Sequence, residues 1–193
     1  MSETVDNYCG VVRTYYDLDN TKLKEEYFIN AGKREGIYKE YYKNGQLCEE
    51  VNYIDGEMNG IYKCYYNNGQ LGYEVNYIDG KKVGIVKTYH KNKQLESEVN
   101  YIDGKMNGIY KSYYCNGQLE KEINYIDDIM NGNNKSYHDN GQLRSEINCI
   151  YGEIDGDLTT YHRNGEIQSI NNYYYYPASE SKSESEVDFL MEK

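Results

Sequence analysis

Short segments of alternating side-chain character recur along the chain, separated by glycine-centred turns. In residues 47–54, Leu47 and Val51 fall on one side of an extended backbone, and Cys48 and Glu50 fall on the other. Alternation with a period of two is typical of a β-strand. The pattern therefore predicts strands joined by short turns.

These strands belong to a 24-residue unit that recurs without insertion or deletion. The unit opens each time with an asparagine: Asn20, Asn44, Asn68, Asn92, Asn116, Asn140 and Asn164. A fixed period of this size indicates a supersecondary unit that buries its apolar side by stacking on its neighbours. We predict an all-β fold, an elongated, twisted single-layer antiparallel sheet (a ribbon or half-pipe) of tandem 24-residue β-hairpin repeats.

The Asn-Gly pairs predict a two-residue type I′ turn at each unit boundary. At residues 68–69 such a turn places Lys63 opposite Glu74. The same rule gives a set of charge pairs and one neutral pair: Lys39 with Glu50, Lys87 with Glu98, Lys111 with Glu122, Lys135 with Glu146, Arg13 with Glu26 across a longer first turn, and Thr159 with Ile170. We expect these pairs to specify the register.

A second, longer turn joins the two strands within a unit, as in residues 55–60. Its recurring glycines indicate positive φ, and Asp128 replaces a glycine in one copy. Lys93 replaces the glycine of one Asn-Gly pair, where a left-handed residue costs about 1–2 kcal/mol. We therefore predict that residues 89–96 form the softest turn of the array.

On this register the chain divides into three regions and the sheet into two faces. Residues 1–7 are a lead-in, residues 8–176 are the repeat array, and residues 177–193 are an acidic Ser/Glu tail with an apolar end, which we expect to be disordered. One face carries Leu47, Val51 and Tyr62. The other carries the charge pairs with Ile54 and Ile61.

The composition excludes several classes of protein. The net charge of −11 disfavours phosphate backbones and anionic lipid headgroups, so we expect no nucleic-acid partner and disfavour membrane association. The N-terminus has no features of a signal peptide, and no apolar stretch is long enough to span a bilayer. We expect a cytoplasmic protein with free cysteines, because the five cysteines are scattered through the repeat.

The side chains with catalytic or metal-binding chemistry fit structural roles. His90, His138 and His162 occupy a position that other units fill with tyrosine. Even His138 and His162, which belong to neighbouring units, should lie ~10 Å apart, which is too far for a shared metal. The alternation also places Cys48 and Cys64 on opposite faces, which argues against a redox pair. We expect no cofactor, no metal and no enzymatic activity.

The segment Tyr53-x-x-Gly56-x-x-x-Gly60, followed by Tyr65-Tyr66-x-Asn68-Gly69-Gln70-Leu71, resembles the MORN-variant repeats. The resemblance covers roughly residues 8–172. It implies a β-hairpin repeat fold and an adaptor role, and bacterial members are often labelled antitoxin components. The chain departs from the founding MORN pattern because it has no Trp and lacks the closing Gly-x-Gly.

A stripe of amphipathic rings along one face is the candidate partner-binding site: Tyr38, Tyr42, Tyr62, Tyr66, His90, Tyr110, Tyr114, His138 and His162. Tyrosine is enriched in binding patches, although the same rings could serve only to cover the sheet. Our first hypothesis is a non-catalytic scaffold that binds a protein partner through this face, antitoxin-like in one version. The alternatives are a structural protein that self-associates through its sheet edges and association with a phospholipid surface.

Overall fold

The computed structural model describes residues 8–174 as β-strands and turns, with no helix in that range. The predicted lead-in and the predicted disordered tail lie outside these residues. The all-β prediction is confirmed.

The strands follow one another along the chain with short connections. Their bounds are β1 Gly10–Tyr15, β2 Leu23–Asn30, β3 Lys33–Tyr41, β4 Leu47–Ile54, β5 Glu57–Met58, β6 Gly60–Tyr65, β7 Leu71–Ile78, β8 Lys81–Tyr89 and β9 Leu95–Ile102. The second half continues with β10 Lys105–Met106, β11 Gly108–Tyr113, β12 Leu119–Ile126, β13 Ile129–Met130, β14 Gly132–Tyr137, β15 Leu143–Ile150, β16 Glu153–Ile154, β17 Gly156–Tyr161 and β18 Ile167–Tyr173.

Neighbouring strands pair antiparallel in chain order and form one open sheet of 18 strands. The short segments β5, β10, β13 and β16 pair with the strand before them, and each leads directly into β6, β11, β14 or β17. Within residues 8–174, β1 pairs only with β2 and β18 only with β17. These two strands are therefore the edges of the described sheet.

The predicted register is confirmed in every hairpin. Lys63 lies opposite Glu74, and the other predicted pairs are also in place, including Thr159 opposite Ile170. The structure adds a second pairing across the next strand boundary, where Glu50 lies opposite Lys63 and Glu98 opposite Lys111. Each of these glutamates therefore lies between two cations.

The prediction of type I′ turns at Asn-Gly was wrong, and the two turn types are exchanged. Gly45 has a φ of 83°, whereas the φ of Asn44 is not positive. The Gly45 N–H donates to the Tyr42 carbonyl, and the Tyr42 N–H donates to the Gln46 carbonyl, both at 2.8 Å. This is a type I turn closed by a left-handed glycine.

The type I′ geometry occurs instead within the units, where the second turn was expected to be longer. Asp55 and Gly56 have φ values of 52° and 87° between the paired residues Ile54 and Glu57. Asp127 and Asp128 adopt the same conformation at φ values of 50° and 70°.

A one-residue bulge follows each Asn-Gly turn. The turn is one residue longer than the predicted two-residue loop, and the bulge adds one residue to the following strand, so the predicted register is restored beyond it. Tyr41 lies opposite Leu47 and Glu40 opposite Glu49, so Cys48 has no partner across the ladder. The bulge moves Cys48 to the side of Tyr42, where the thiol raises the pKa of the Tyr42 hydroxyl. The predicted faces of Leu47 and Cys48 were therefore wrong, because strict alternation stops at a bulge.

The buried side chains form a line on one face of the sheet. Val51 and Val75 are 2% and 0% exposed, and Tyr38 is buried against Val51 and Tyr53. A second cluster continues the line through Val86 and Val99, covered by tyrosine rings. The core is thus one side chain deep and depends on neighbouring units.

No helix within residues 8–174 is long and apolar enough to cross a bilayer.

Lys93 takes the predicted left-handed conformation, with a φ of 73°. We expect Lys93→Gly to raise the free energy of unfolding by about 1 kcal/mol, because glycine removes the steric cost of that conformation. Urea unfolding measures the change. Gly117→Lys, at the equivalent turn, is the matched control and should lower stability by a similar amount. Equal stability of both variants and the parent chain would contradict the assignment of strain.

Candidate functional site

The face of the sheet that carries the buried valines also carries Tyr38 and Tyr62, and we call it the tyrosine face. Its rings pack on one another. The Tyr38 ring lies 5.7 Å from Tyr27 and 6.2 Å from Tyr53, measured between centroids. The Arg34 guanidinium covers Tyr38 at 4.7 Å. The Tyr62 ring lies 5.7 Å from Tyr73 in an edge-on arrangement. These contacts close the tyrosine face over the core valines.

The hydroxyls of two central rings are also engaged. Tyr38 Oη donates to Glu25 at 3.1 Å, and Tyr62 Oη donates to Glu49 at 2.5 Å. Burial and the neighbouring carboxylates raise the pKa of both hydroxyls. Both phenols therefore stay neutral and act as donors within the sheet.

A column of rings beside the Asn-Gly turns links each unit to the next. Tyr42 Oη donates to the Tyr65 carbonyl at 2.7 Å, and Tyr66 Oη donates to the Tyr89 carbonyl at 2.7 Å. We call this the ring column: Tyr16, Tyr42, Tyr66, His90, Tyr114, His138 and His162. Its first six members each bond the carbonyl of the residue that precedes the next member.

Histidine replaces tyrosine in the ring column without loss of this bond. His90 Nε2 lies 2.8 Å from the Tyr113 carbonyl, and His138 Nε2 lies 3.0 Å from the Tyr161 carbonyl. A carbonyl oxygen only accepts hydrogen bonds, so Nε2 carries the proton in both rings. The interchange of tyrosine and histidine noted in the sequence thus preserves a donor at the end of a flat ring.

The turn asparagines form a second link between units. Asn44 Oδ1 accepts from the Gln46 N–H at 3.0 Å, and Asn44 Nδ2 donates to the Asn67 carbonyl at 2.8 Å. Asn92, Asn116 and Asn140 make the same two contacts in later units. Each asparagine therefore stabilises its own turn and ties it to the next.

The opposite face, which we call the ladder face, carries a continuous row of alternating charges. The row runs Arg13, Glu26, Lys39, Glu50, Lys63, Glu74, Lys87, Glu98, Lys111, Glu122, Lys135 and Glu146. Arg13 and Glu26 are 2.5 Å apart, and Lys111 and Glu122 are 3.7 Å apart. The row holds equal numbers of both charges and is neutral overall.

Tyrosines of the ladder face support the acidic members of this row. Tyr65 Oη donates to Glu50 at 3.0 Å, and Tyr161 Oη donates to Glu146 at 2.6 Å. Burial, followed by the bond to Glu50, raises the pKa of Tyr65 to about 12. On the other face, the bond to the Cys48 thiol is the main cause that raises the pKa of Tyr42 to about 12.

The ladder face also exposes two columns of isoleucine beside the charge row. Ile37 is 61% exposed and Ile54 is 46% exposed, and the remaining members lie between these values: Ile61, Ile78, Ile85, Ile102, Ile109 and Ile126. A shallow depression of about 230 Å³ lies between Ile37 and Ile61 beside Glu50 and Lys63. Side chains of opposite charge and large apolar side chains therefore alternate on one accessible surface.

The structure brings all nine predicted partner-binding rings onto the tyrosine face. Tyr38 is buried, and Tyr62 and Tyr110 are half-buried. Five of the remaining six rings bond a carbonyl of the next unit, and the sixth, His162, makes no side-chain hydrogen bond within the described residues. Whether this face binds a partner stays a prediction.

The prediction that Cys48 and Cys64 lie on opposite faces was wrong. The bulge at Cys48 places both thiols on the tyrosine face, close enough to interact electrostatically. Burial raises the pKa of each thiol, which favours the unreactive protonated form. Among residues 8–174, no group of three metal-ligating side chains converges.

Sequence reasoning missed the links between units. Their only trace in the sequence is the exchange of tyrosine for histidine at one position, since the two side chains share a ring and a terminal donor. The isoleucine columns could be recognised in the sequence, because isoleucine recurs at strand positions that alternate with the core positions.

Tandem antiparallel hairpins stacked into one open sheet define a β-hairpin repeat protein. The sequence profile described as MORN repeat variant matches residues 34–55, 58–79, 82–103, 106–127, 130–148 and 154–173. These matches cover more than half of the chain, which therefore belongs to the MORN repeat variant family. The family suggests a role as a repeat scaffold or in interactions.

One solved structure, entitled Crystal Structure of TarM, is similar to the chain at 11% sequence identity and a TM-score of 0.33. The similarity covers 63% of this chain and 20% of that one, so it carries no argument about function. No curated protein matches the chain.

The ring column yields a prediction about stability. We expect Tyr114→Phe to lower the free energy of unfolding by about 1 kcal/mol, because it removes one partly buried hydrogen bond and leaves the Tyr137 carbonyl without that donor. Tyr114→His should lower it by less than half as much, because Nε2 restores the donor. Urea unfolding measures both changes. The control is Tyr151→Phe at an exposed ring, and equal losses in Phe and His variants would contradict the proposed link.

The tyrosine pKa values predict an alkaline limit to stability. An ordinary tyrosine pKa is 10.0, and Tyr42 and Tyr65 are raised to about 12. A pKa raised by folding gives stabilisation that is present below pH 10 and is lost as the pH rises toward 12. We expect the melting temperature to fall over that range, with a smaller fall in Tyr65→Phe than in the parent chain. Parallel curves for the two proteins would contradict the assignment.

Proposed function

We propose that the chain is a non-catalytic repeat scaffold that binds a protein partner along the ladder face. The observation that carries this proposal is the pair of isoleucine columns that remain exposed on a sheet whose other face is closed by packed rings. Contiguous exposed apolar surface framed by polar groups is typical of interaction sites.

The distribution of contacts favours the ladder face over the tyrosine face. Rings such as Tyr38 and Tyr62 cover the core and donate hydrogen bonds within the sheet. A partner on that face would meet these two rings with their hydroxyls already engaged. On the ladder face, Ile61 and Ile85 are more than half exposed and free to lose water on binding.

The charge row defines the chemistry of the partner. A partner with an apolar strip and charges of both signs at similar spacing gains contacts, whereas a partner of one charge meets repulsion at every second strand. The net charge of −11 disfavours nucleic acid and anionic membranes as partners. An antitoxin-like role is one form of this proposal, in which the partner is a toxin.

The surroundings of the glutamates and of two thiols support a non-catalytic role. Ladder glutamates such as Glu50 and Glu98 lie opposite a lysine on each neighbouring strand, and each accepts a hydrogen bond from a tyrosine hydroxyl. Burial raises the pKa of the half-buried Cys48 and Cys64 thiols, which favours their unreactive protonated form.

Affinity capture from host lysate with matched variants tests the proposal. We expect the triple variant Ile61→Thr, Ile85→Thr and Ile109→Thr to lose at least about tenfold in partner recovery, because threonine keeps the strand preference and removes apolar contact. The control is the double variant Tyr66→His and Tyr114→His, which preserves the ring column and alters the tyrosine face. It should recover the partner as the parent chain does, after circular dichroism confirms that both variants fold.

The two variants separate the two faces. Loss of the partner in the histidine variant with retention in the threonine variant would contradict the ladder-face proposal and favour the stripe predicted from the sequence. Equal recovery by all three proteins would also contradict it.

A further inference from the structure

The two ends of the described sheet are complementary to each other. At one end, the His162 ring makes no side-chain hydrogen bond within residues 8–174, although the six earlier members of the ring column all bond a carbonyl. Each accepting carbonyl belongs to the residue just before the next ring. At the other end, Tyr15 stands just before Tyr16, and no earlier ring in the described chain donates to it.

We propose that copies of this chain associate end to end, with β18 of one copy paired antiparallel to β1 of the next and His162 bonded to the Tyr15 carbonyl across the junction. The strand directions allow this, because every described neighbour pair is antiparallel and the alternation continues from β18 to a second β1. The junction then repeats the geometry already present between units.

The rows of side chains continue across such a junction. Where one unit pairs with the next, residues of the charge row lie opposite each other, as Glu50 and Lys63 do. The same register places Ile170 opposite Arg13 of the next copy, with no like-charge contact. On the tyrosine face it continues the hydroxyl row, in which Thr160 and Ser169 lie 2.7 Å apart, into Thr14 of the next copy.

Within residues 8–174, the edge strands carry little of the usual protection against pairing. An exposed edge is normally guarded by charged residues, proline or a covering segment. Strand β18 contains no charged residue and no proline, and its members Ile167 and Ile170 are 59% and 51% exposed. Strand β1 carries one charge, Arg13, which already pairs with Glu26.

Because the donor and the acceptor lie on different ends, the contact is heterologous and does not close as a two-fold dimer. Association should therefore continue beyond the dimer. Pairing of β18 with a second β18 would instead give a closed dimer and would place Ile170 away from Arg13. The two arrangements are distinguished by how molecular size depends on concentration and by how charged substitutions at position 170 change association.

Sedimentation velocity of the full chain over several orders of magnitude of concentration tests the proposal. We expect the mean size to rise steadily past the dimer. Ile170→Glu should strengthen association and Ile170→Lys should weaken it, each by about twofold to fivefold at low salt, because the new side chain faces Arg13 of the next copy. The net charge of −11 on its own favours the opposite order, since the lysine variant is less acidic.

The histidine supplies a second, independent measurement. His162→Phe should weaken association by about threefold to tenfold, as expected for one lost hydrogen bond, while the urea midpoint of the monomer stays unchanged. The matched control His138→Phe should lower the urea midpoint and leave association unchanged, because its bond to the Tyr161 carbonyl is internal.

Each contrary result overturns the proposal. A chain that remains monomeric at all concentrations excludes the junction, and growth that stops at the dimer indicates the closed arrangement. Association that is equal in the Glu and Lys variants, or stronger in Lys, removes the contact between Ile170 and Arg13.

Discussion

Backbone pairing between one unit and the next is the interaction on which the rest of this structure depends. A single hairpin has one apolar side and no second layer to cover it, so it is marginal in isolation. Stacking turns the side chains of successive units into a line of contacts, in which Val51, Val75 and Val99 are buried although the sheet is one layer thick. The ring column adds one hydrogen bond at each of these boundaries, and Asn44, Asn92, Asn116 and Asn140 add a second bond at four of them. Every unit is therefore stabilised mainly by its neighbours, as expected for a repeat protein.

The two faces of the sheet differ in how their side chains are packed. Tyrosine suits the closed face because its flat body covers valines and its hydroxyl reaches a carbonyl or carboxylate. On the ladder face, the charge row needs little help from burial, since Arg13 and Glu26 are in contact in water. Within residues 8–174, the isoleucines of that face, such as Ile61 and Ile85, stay more than half exposed. The tyrosine face stabilises the sheet, and the ladder face is the one for which we propose a partner.

The sequence predicted the strands and their register because both follow from patterns within one hairpin. Lys63 opposite Glu74 could be read from charge alone, and it survived a wrong turn type because the additional turn residue and the bulge cancel each other. The faces of Leu47 and Cys48 were lost at that same bulge, which leaves no mark in a period-two pattern. The hydrogen bond from Tyr42 to the Tyr65 carbonyl could not be predicted either, because the alternation within a strand carries no information about contacts made 23 residues away. The partner-binding role of the rings is untested by the fold.

The alternation of the charge row has a consequence for recognition at a distance. Fields from neighbouring charges of opposite sign cancel, so the potential of the row fades within about one strand spacing, well inside the ~8 Å screening length of physiological salt. An approaching molecule first meets only the diffuse negative field of the whole chain. It interacts with the order of Lys and Glu only once the surfaces touch. The row can therefore contribute to the specificity of binding without raising the rate of association.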